Sequence, residues 1–314
     1  MSTTIVADLS QNPFKSYEKS AALIDSAKRA GANAVMFGCY RAENIAAPGT
    51  PIYNTAKQNE IDYMTLSALV DYCGAQNMGV IAAPHDTDSI AFLYTKGIAV
   101  WNVTADNLNN VPLLILMGQT GRPVMVDCAH HENEVIKRCV TILKEFGTTE
   151  IYLVHSSLHR PTPIENINLR GMIALKGNFQ TRVGFADTSV GTTMCAAAAT
   201  YMADVIVKGL SDKPVADRVN EAEFAKMVKT VRSVEAGLGD GNRTPTDAHI
   251  ALNRLTKKCI VAAKDIAVGE SFNETNMAIM HAPEGMDPLY WYDLCEQQAK
   301  KPYKKGDPIY YTES

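Results

Sequence analysis

The sequence predicts a closed (β/α)8 TIM barrel followed by a small β-rich module, and three observations carry that prediction. Eight short runs rich in Val, Ile, Ala and Met alternate with helical patterns over residues 5–238. Each run is nearly continuous in apolar residues, as in parallel strands covered on both faces, and does not alternate as a half-exposed sheet would. Glycine closes helical patterns just before the next run at Gly31, Gly97, Gly121 and Gly147, where a left-handed residue ends a helix and turns the chain into a strand. Eight such units without a long polar break favour closure over an open doubly wound sheet.

The runs are Ile5–Leu9, Ala34–Gly38, Gly79–Pro84, Ala99–Thr104, Pro123–Cys128, Ile151–Ser156, Arg182–Asp187 and Asp204–Gly209. Between the first two, Ser16–Ala30 sets Ala21, Ile24 and Ala27 at helical spacing. In His131–Phe146, the residues Val135, Ile136, Cys139, Val140 and Leu143 share one helical face. Asn59–Gln76, Thr192–Ala203 and Ala222–Leu238 read the same way. Ala42–Lys57, with two prolines and one glycine, is expected to form a loop at the barrel mouth, a lid or interface element. The composition turns polar after Gly239. The expected division is a barrel over 1–245, a linker over 246–257 and a β-rich module over 258–314. That module has 57 residues, small for an independent core, and is expected to pack against the barrel or a second subunit.

The chain has 314 residues, of which 46% are hydrophobic and 20% charged, with a net charge of −4. That balance gives no electrostatic footprint for nucleic acid or an anionic membrane surface. No apolar run approaches the roughly 18 residues needed to span a bilayer. The opening MSTTIVADLS enters a strand without a charged-then-apolar leader. Seven cysteines without a CxxC pair read as the reduced thiols of a cytoplasmic protein. No GxGxxG follows the first strand and no GxxxxGK[ST] occurs, which removes the main support for dinucleotide or nucleotide binding.

In a barrel of this kind the C-terminal strand ends carry the functional groups. Five of the seven histidines, His85, His130, His131, His155 and His159, follow apolar runs. With Asp8, Cys39, Asp86, Asn102, Asp106, Asp127, Cys128, Asp187 and Lys208 they populate the expected mouth. His85, Asp127 and His130 offer imidazole and carboxylate for a metal or an acid–base centre; the alternative is that these histidines satisfy hydrogen bonds in polar loops. Lys208, with His155 and Asp187 as acid–base partners, offers Schiff-base chemistry; the alternative is a structural pair between Lys208 and Asp187 or Asp204. Cys39 and Cys128 lie in no recognisable nucleophile motif. Pro288–Tyr292 is either an aromatic contact surface or core packing of the small module.

LVHSSLHRPTP at 153–163, INLRGM at 167–172, VGFAD at 183–187, GLGDGNRTPT at 237–246 and IVAAKDIAVGESFNETNM at 260–277 resemble, in that order, the sialic acid (N-acetylneuraminate) synthase family. The resemblance implies a (β/α)8 barrel with a C-terminal SAF, or antifreeze-like, domain. It implies condensation of phosphoenolpyruvate with an N-acetylated hexosamine, assisted by Mn2+ or Mg2+. It also implies a homodimer whose SAF domain caps the neighbouring barrel, or a heteromer with another subunit. His155 matches the family's histidine of the sixth strand, and Asp8, Asn102, Asp106, Ser156, Ser157 and His281 become candidate substrate contacts.

The motifs also depart from the family pattern. Met36-Phe37-Gly38 stands where the family has Lys-Phe-Gln, and Asn102 and Ala105 stand where it has lysine and serine. Asp127-Cys128-Ala129-His130 replaces Ser-Thr-Gly-Met. The two metal histidines of the family are Thr188 and Gly209 here, so the metal's ligands are missing and the cofactor is unknown. In the SAF region, His281 stands for an arginine. These departures imply that the parent condensation is lost or altered, leaving a pseudoenzyme or heteromeric partner. The alternatives are an enzyme with a rebuilt His/Asp/Cys site and an active nonulosonic acid synthase.

Overall fold

Over residues 2–10, 16–129 and 131–310, which the computed structural model describes, eight parallel strands close on themselves. They are β1 (Thr4–Asp8), β2 (Ala34–Cys39), β3 (Gly79–Pro84), β4 (Val100–Val103), β5 (Val124–Asp127), β6 (Ile151–His155), β7 (Arg182–Asp187) and β8 (Val205–Leu210). Each end of the eight expected strands lies within one residue of its place in the structure. β8 closes the barrel on β1 in the register Thr4 to Val205 through Asp8 to Gly209. A two-residue strand, β9 (Arg218–Val219), then runs beside Gly209 and Leu210.

The helices of this unit are α1 (Tyr17–Arg29), α2 (Ala42–Ile45), α3 (Pro51–Asn59), α4 (Tyr63–Ala75), α5 (Thr87–Thr95), α6 (Val111–Gln119), α7 (Asn133–Glu145), α8 (Arg170–Phe179), α9 (Thr193–Thr200) and α10 (Glu221–Leu238). Ser16, Asp62, Asp86 and Asn220 cap helix starts with side-chain oxygens, satisfying amides that have no partner inside the helix. Gly31, Gly97, Gly121 and Gly147 all have positive φ, as expected of left-handed helix ends. The loop expected over Ala42–Lys57 is instead built from α2 and α3. Thr50 caps α3 and Pro51 occupies its first turn, a position where proline starts a helix and does not break it.

The core forms two layers. Ile5, Ala7, Phe37, Trp101, Val126, Leu153, Phe185 and Ile206 pack outward against helix residues such as Ile24, Leu66, Leu113, Cys139 and Phe224. A separate cluster of Val6, Ala34, Ile81, Met125, Val154, Val205 and Val207, bordered by Met36, Val100, Tyr152 and Ala186, fills the barrel interior.

The chain divides into two compact units, Met1–Gly239 and Asp240–Ser314. In the second, α11 (Asp247–Thr256) lies within the stretch expected as linker and buries no residue. β10 (Lys258–Ala262) and β11 (Met277–His281) pair antiparallel. Single bridges such as Val261 to Pro308 and Ile266 to Tyr303 extend that pairing. Ile260, Ala262, Ile266, Phe272, Met277, Leu294, Tyr303 and Ile309 form the unit's own core. No helix among the described residues is long and apolar enough to cross a membrane.

Candidate functional site at the barrel mouth

Side chains alternate faces along a strand, so the interior cluster fixes which residues face inward at each C-terminal strand end. Continuing from Val6, Ala34, Ile81, Val100, Met125, Val154, Ala186 and Val207, the inward phase falls on Asp8, Gly38, His85, Asn102, Asp127, Ser156, Thr188 and Gly209. The opposite phase, shared with Val35, Val126, Leu153, Phe185 and Ile206, falls on Cys39, Cys128, His155, Asp187 and Lys208.

The three residues expected to be catalytic therefore sit between barrel wall and helices. His155 is buried, its Nε2 2.8 Å from the Ile167 carbonyl oxygen. Its ring lies so close to Gly171 in α8 that a Cβ there would come within 2.7 Å of it. Lys208 and Asp187 form an ion pair at 3.2 Å with both side chains fully buried. The Lys208 ammonium also donates to the Ser189 carbonyl at 2.6 Å. Asp187 accepts from the Ser189 amide at 2.8 Å, the Ser189 hydroxyl at 2.6 Å and the Cys195 thiol of α9 at 3.2 Å. Of the two alternatives for Lys208, the structural pair with Asp187 is the one present. Burial likewise pushes the Cys39 thiol up to about 12 and raises that of Cys128, which disfavours the thiolate either would need as a nucleophile.

Asp8 and Asp127 anchor the inward set. Asp8 Oδ1 accepts from the Ser10 amide at 2.8 Å and hydroxyl at 2.5 Å. Asp127 Oδ1 accepts from the Ser156 hydroxyl and, at 3.2 Å, from the Ala129 amide. Burial in the mouth raises the Asp127 carboxyl above the usual carboxylate range. Asn102, on the neighbouring strand, is buried and paired with Met125. The Thr188 hydroxyl is bonded to that of Thr162 at 2.6 Å.

His85 forms a more open polar corner. Its Nδ1 lies 3.7 Å from Asp106 and 3.3 Å from the Asn107 amide. The His85 ring holds the Asp106 carboxyl down at about 2. Asn44, His85, Asp86, Asp88 and Asn110 line a cleft of about 320 Å3 there. Asp86 itself is scaffold, accepting from the Ser89 and Arg41 amides at 2.7 Å each. His131 ties the next loop down through the Ala105 carbonyl at 2.9 Å. The His159 amide donates to Ser157 Oγ at 3.2 Å in an exposed loop. His281 belongs to the second unit, its Nδ1 3.0 Å from the Thr256 carbonyl. His130 lies outside the described residues.

Sequence reasoning missed Arg218. It follows a polar loop on a two-residue strand, and in sequence nothing sets it apart from the nearby Lys213. Its side chain crosses the bare face of Gly209, where a Cβ would meet Arg218 Cγ at 2.7 Å. Its Nη1 donates to the carbonyls of Asp8 at 3.2 Å and Leu210 at 3.3 Å, and its Nη2 lies 3.8 Å from Asp8 Oδ2. A divalent metal does not fit this arrangement. Position 209 has no side chain and is overlaid by the Arg218 stem, whose guanidinium is fixed on the Asp8 and Leu210 carbonyls, and the Thr188 hydroxyl is already engaged. Among the described residues no three His, Cys, Asp or Glu side chains are grouped to hold a metal ion.

A closed barrel with its polar groups on the C-terminal strand ends places the first unit with the TIM-barrel proteins. The description "NeuB family" matches residues 23–243, and the chain belongs to that family. It is 26% identical to the pseudaminic acid synthase of Campylobacter jejuni, over 97% of this chain and 94% of that protein. It is 24% identical to the N,N'-diacetyllegionaminic acid synthase of the same species, over 98% of each. Its fold is that of the N-acetylneuraminic acid (sialic acid) synthetase of Leptospira borgpetersenii, with a TM-score of 0.75 at 22% identity over 80% of this chain and 90% of that one. The chain is thus a homologue of the nonulosonic acid synthases.

Proposed function

We propose that this homologue has lost the metal-assisted condensation of phosphoenolpyruvate with an N-acetylated hexosamine and serves as a non-catalytic subunit. The observation that carries the reading is Arg218 lying across Gly209. The resemblance assigns position 209 to a metal ligand; the Arg218 methylenes fill the space there, and its guanidinium, held by the Asp8 and Leu210 carbonyls, repels a divalent cation. The outward phase of His155, Asp187 and Lys208 supports the same reading, because residues that could be taken for catalytic groups brace the barrel wall. Residues 258–314 are read as a SAF-type domain, which in a homodimer or heteromer would cap a neighbouring barrel. Seven free cysteines fit a cytoplasmic setting.

Phosphate release from phosphoenolpyruvate, with N-acetylmannosamine and Mn2+, tests the loss. The expected rate equals that of a protein-free control, and the purified protein is expected to carry less than stoichiometric metal. Turnover that disappears on chelation would overturn the proposal. A single non-associating species, without co-purifying partners, would count against the subunit role. A second reading, a rebuilt acid–base centre, is favoured by the inward Asp127–Ser156 pair. It predicts a Mn2+-independent activity that Asp127→Asn abolishes.

A further inference from the structure

We propose that the Arg218 guanidinium is the recognition cation of this barrel mouth, holding the oxyanion of a small phosphate- or carboxylate-bearing ligand with no metal ion. The inference rests on the reading of the mouth as metal-free.

Three features of the site point to a ligand. The first is an uncommitted donor. The Arg218 side chain is only 3% exposed, yet Nη2 has no hydrogen-bond partner among the described residues. Buried polar groups are nearly always bonded. Asp8 stands 3.8 Å from Nη2, beyond hydrogen-bond reach, while its other oxygen is held by Ser10.

The second is pre-organisation. Two carbonyl oxygens, from Asp8 and Leu210, fix Nη1 and so the plane of the guanidinium. A planar cation in fixed orientation suits the paired oxygens of a carboxylate or phosphate. The third is room. Gly38 leaves the inward end of β2 bare, where a Cβ would make only ordinary contacts, with Ser10 at 3.6 Å and Tyr40 at 4.0 Å. Glycine at such positions lets the backbone and its ligand approach closely. Asp8 is then a competing counter-ion, which the ligand's oxygens displace as Nη2's partner.

Thermal unfolding of the full chain tests this, with inorganic phosphate or sodium acetate titrated in EDTA and again in Mg2+. A saturable rise in Tm with at least one anion, equal in EDTA and Mg2+, is expected. Response to phosphate alone marks a phosphate-bearing ligand, and response to acetate a carboxylate-bearing one. Arg218→Met should abolish the response. Asp8→Asn, which removes the competing carboxylate, should shift saturation to several-fold lower anion concentration, and it decides the matter if Arg218→Met does not fold. No saturable response in the unmodified chain, a response that needs Mg2+, one that survives Arg218→Met, or one weakened by Asp8→Asn would overturn the proposal. Metal-dependent condensation would instead overturn the functional reading, so the two failures are separable.

Discussion

Replacing Lys208 by methionine removes one half of an ion pair that water does not reach. Breaking a buried pair by deleting one partner costs about 3–5 kcal/mol, because the other charge is left uncompensated. The surroundings decide where in that range each deletion falls. Asp187 without Lys208 keeps three donors, the Ser189 amide and hydroxyl and the Cys195 thiol, so Lys208→Met belongs near about 3 kcal/mol. Lys208 without Asp187 keeps a single acceptor, the Ser189 carbonyl at 2.6 Å, so Asp187→Leu belongs near about 5 kcal/mol. The double variant exchanges both charges for apolar volume and should cost far less than the sum, as buried pairs replaced by hydrophobes often do. Urea unfolding at pH 7, followed by the fluorescence of Trp101 in a chain whose other tryptophan is replaced (Trp291→Phe), measures this. Trp101 is fully buried in β4 and reports on the barrel. Single-variant costs below about 1 kcal/mol, or additive costs in the double variant, would refute the assignment of Lys208 to the wall. So would a borohydride-trapped carbonyl adduct on Lys208.

Three further outcomes follow from the mouth and its frame. Gly209→Ala drives a methyl group to within 2.7 Å of Arg218 Cγ; it should lower stability by about 1–3 kcal/mol in the same urea assay, and an unchanged midpoint would place Arg218 elsewhere. Asp127 has a carboxyl raised by burial, so the folded state keeps a proton that the unfolded chain releases above about pH 4. Its stability contribution is complete below that pH and declines as pH rises through the folded value. Asp127→Asn removes the decline, so its stability relative to the parent should grow from pH 4 to pH 8; parallel profiles would contradict the burial. Asp86→Ala deletes the cap of α5 and the acceptor for the Arg41 amide, with an expected loss of about 1–2 kcal/mol in chemical denaturation.

The barrel was legible because its strands are covered on both faces. That condition writes them as unbroken apolar runs between glycine-capped helices, and their ends could be placed within a residue. The same condition hid the site. Half-buried strands announce their inward face by alternation, whereas IVADL, VGFAD and VIVKG announce nothing. A shift of one residue moves a side chain to the other face, and nothing in these runs separates His155, Asp187 and Lys208 from the inward set. Pro51 misled for a related reason: proline is read as a breaker unless its place in a helix's first turn is known. Arg218 left almost no trace, since its role comes from a two-residue strand and from the missing side chain of Gly209.

Phase also bears on what the chain has become. Met36, Asn102, Asp127, Thr188 and Gly209, which the motif resemblance sets against different residues in the family, share the inward phase. His155, which keeps the family's residue, and the Asp187–Lys208 pair share the outward phase, where they hold strand to helix. A chain under pressure only to stay folded would keep the wall and let the interior drift to small, neutral or acidic residues. Met36, Asn102 and Gly209 fit drift of that kind. Arg218 does not, because a buried guanidinium with an unmet donor is costly unless something compensates it. Under the proposed loss of the parent condensation, a changed interior is the expected result. The proposed anionic ligand would supply that compensation at Nη2, while the Asp8 and Leu210 carbonyls hold Nη1.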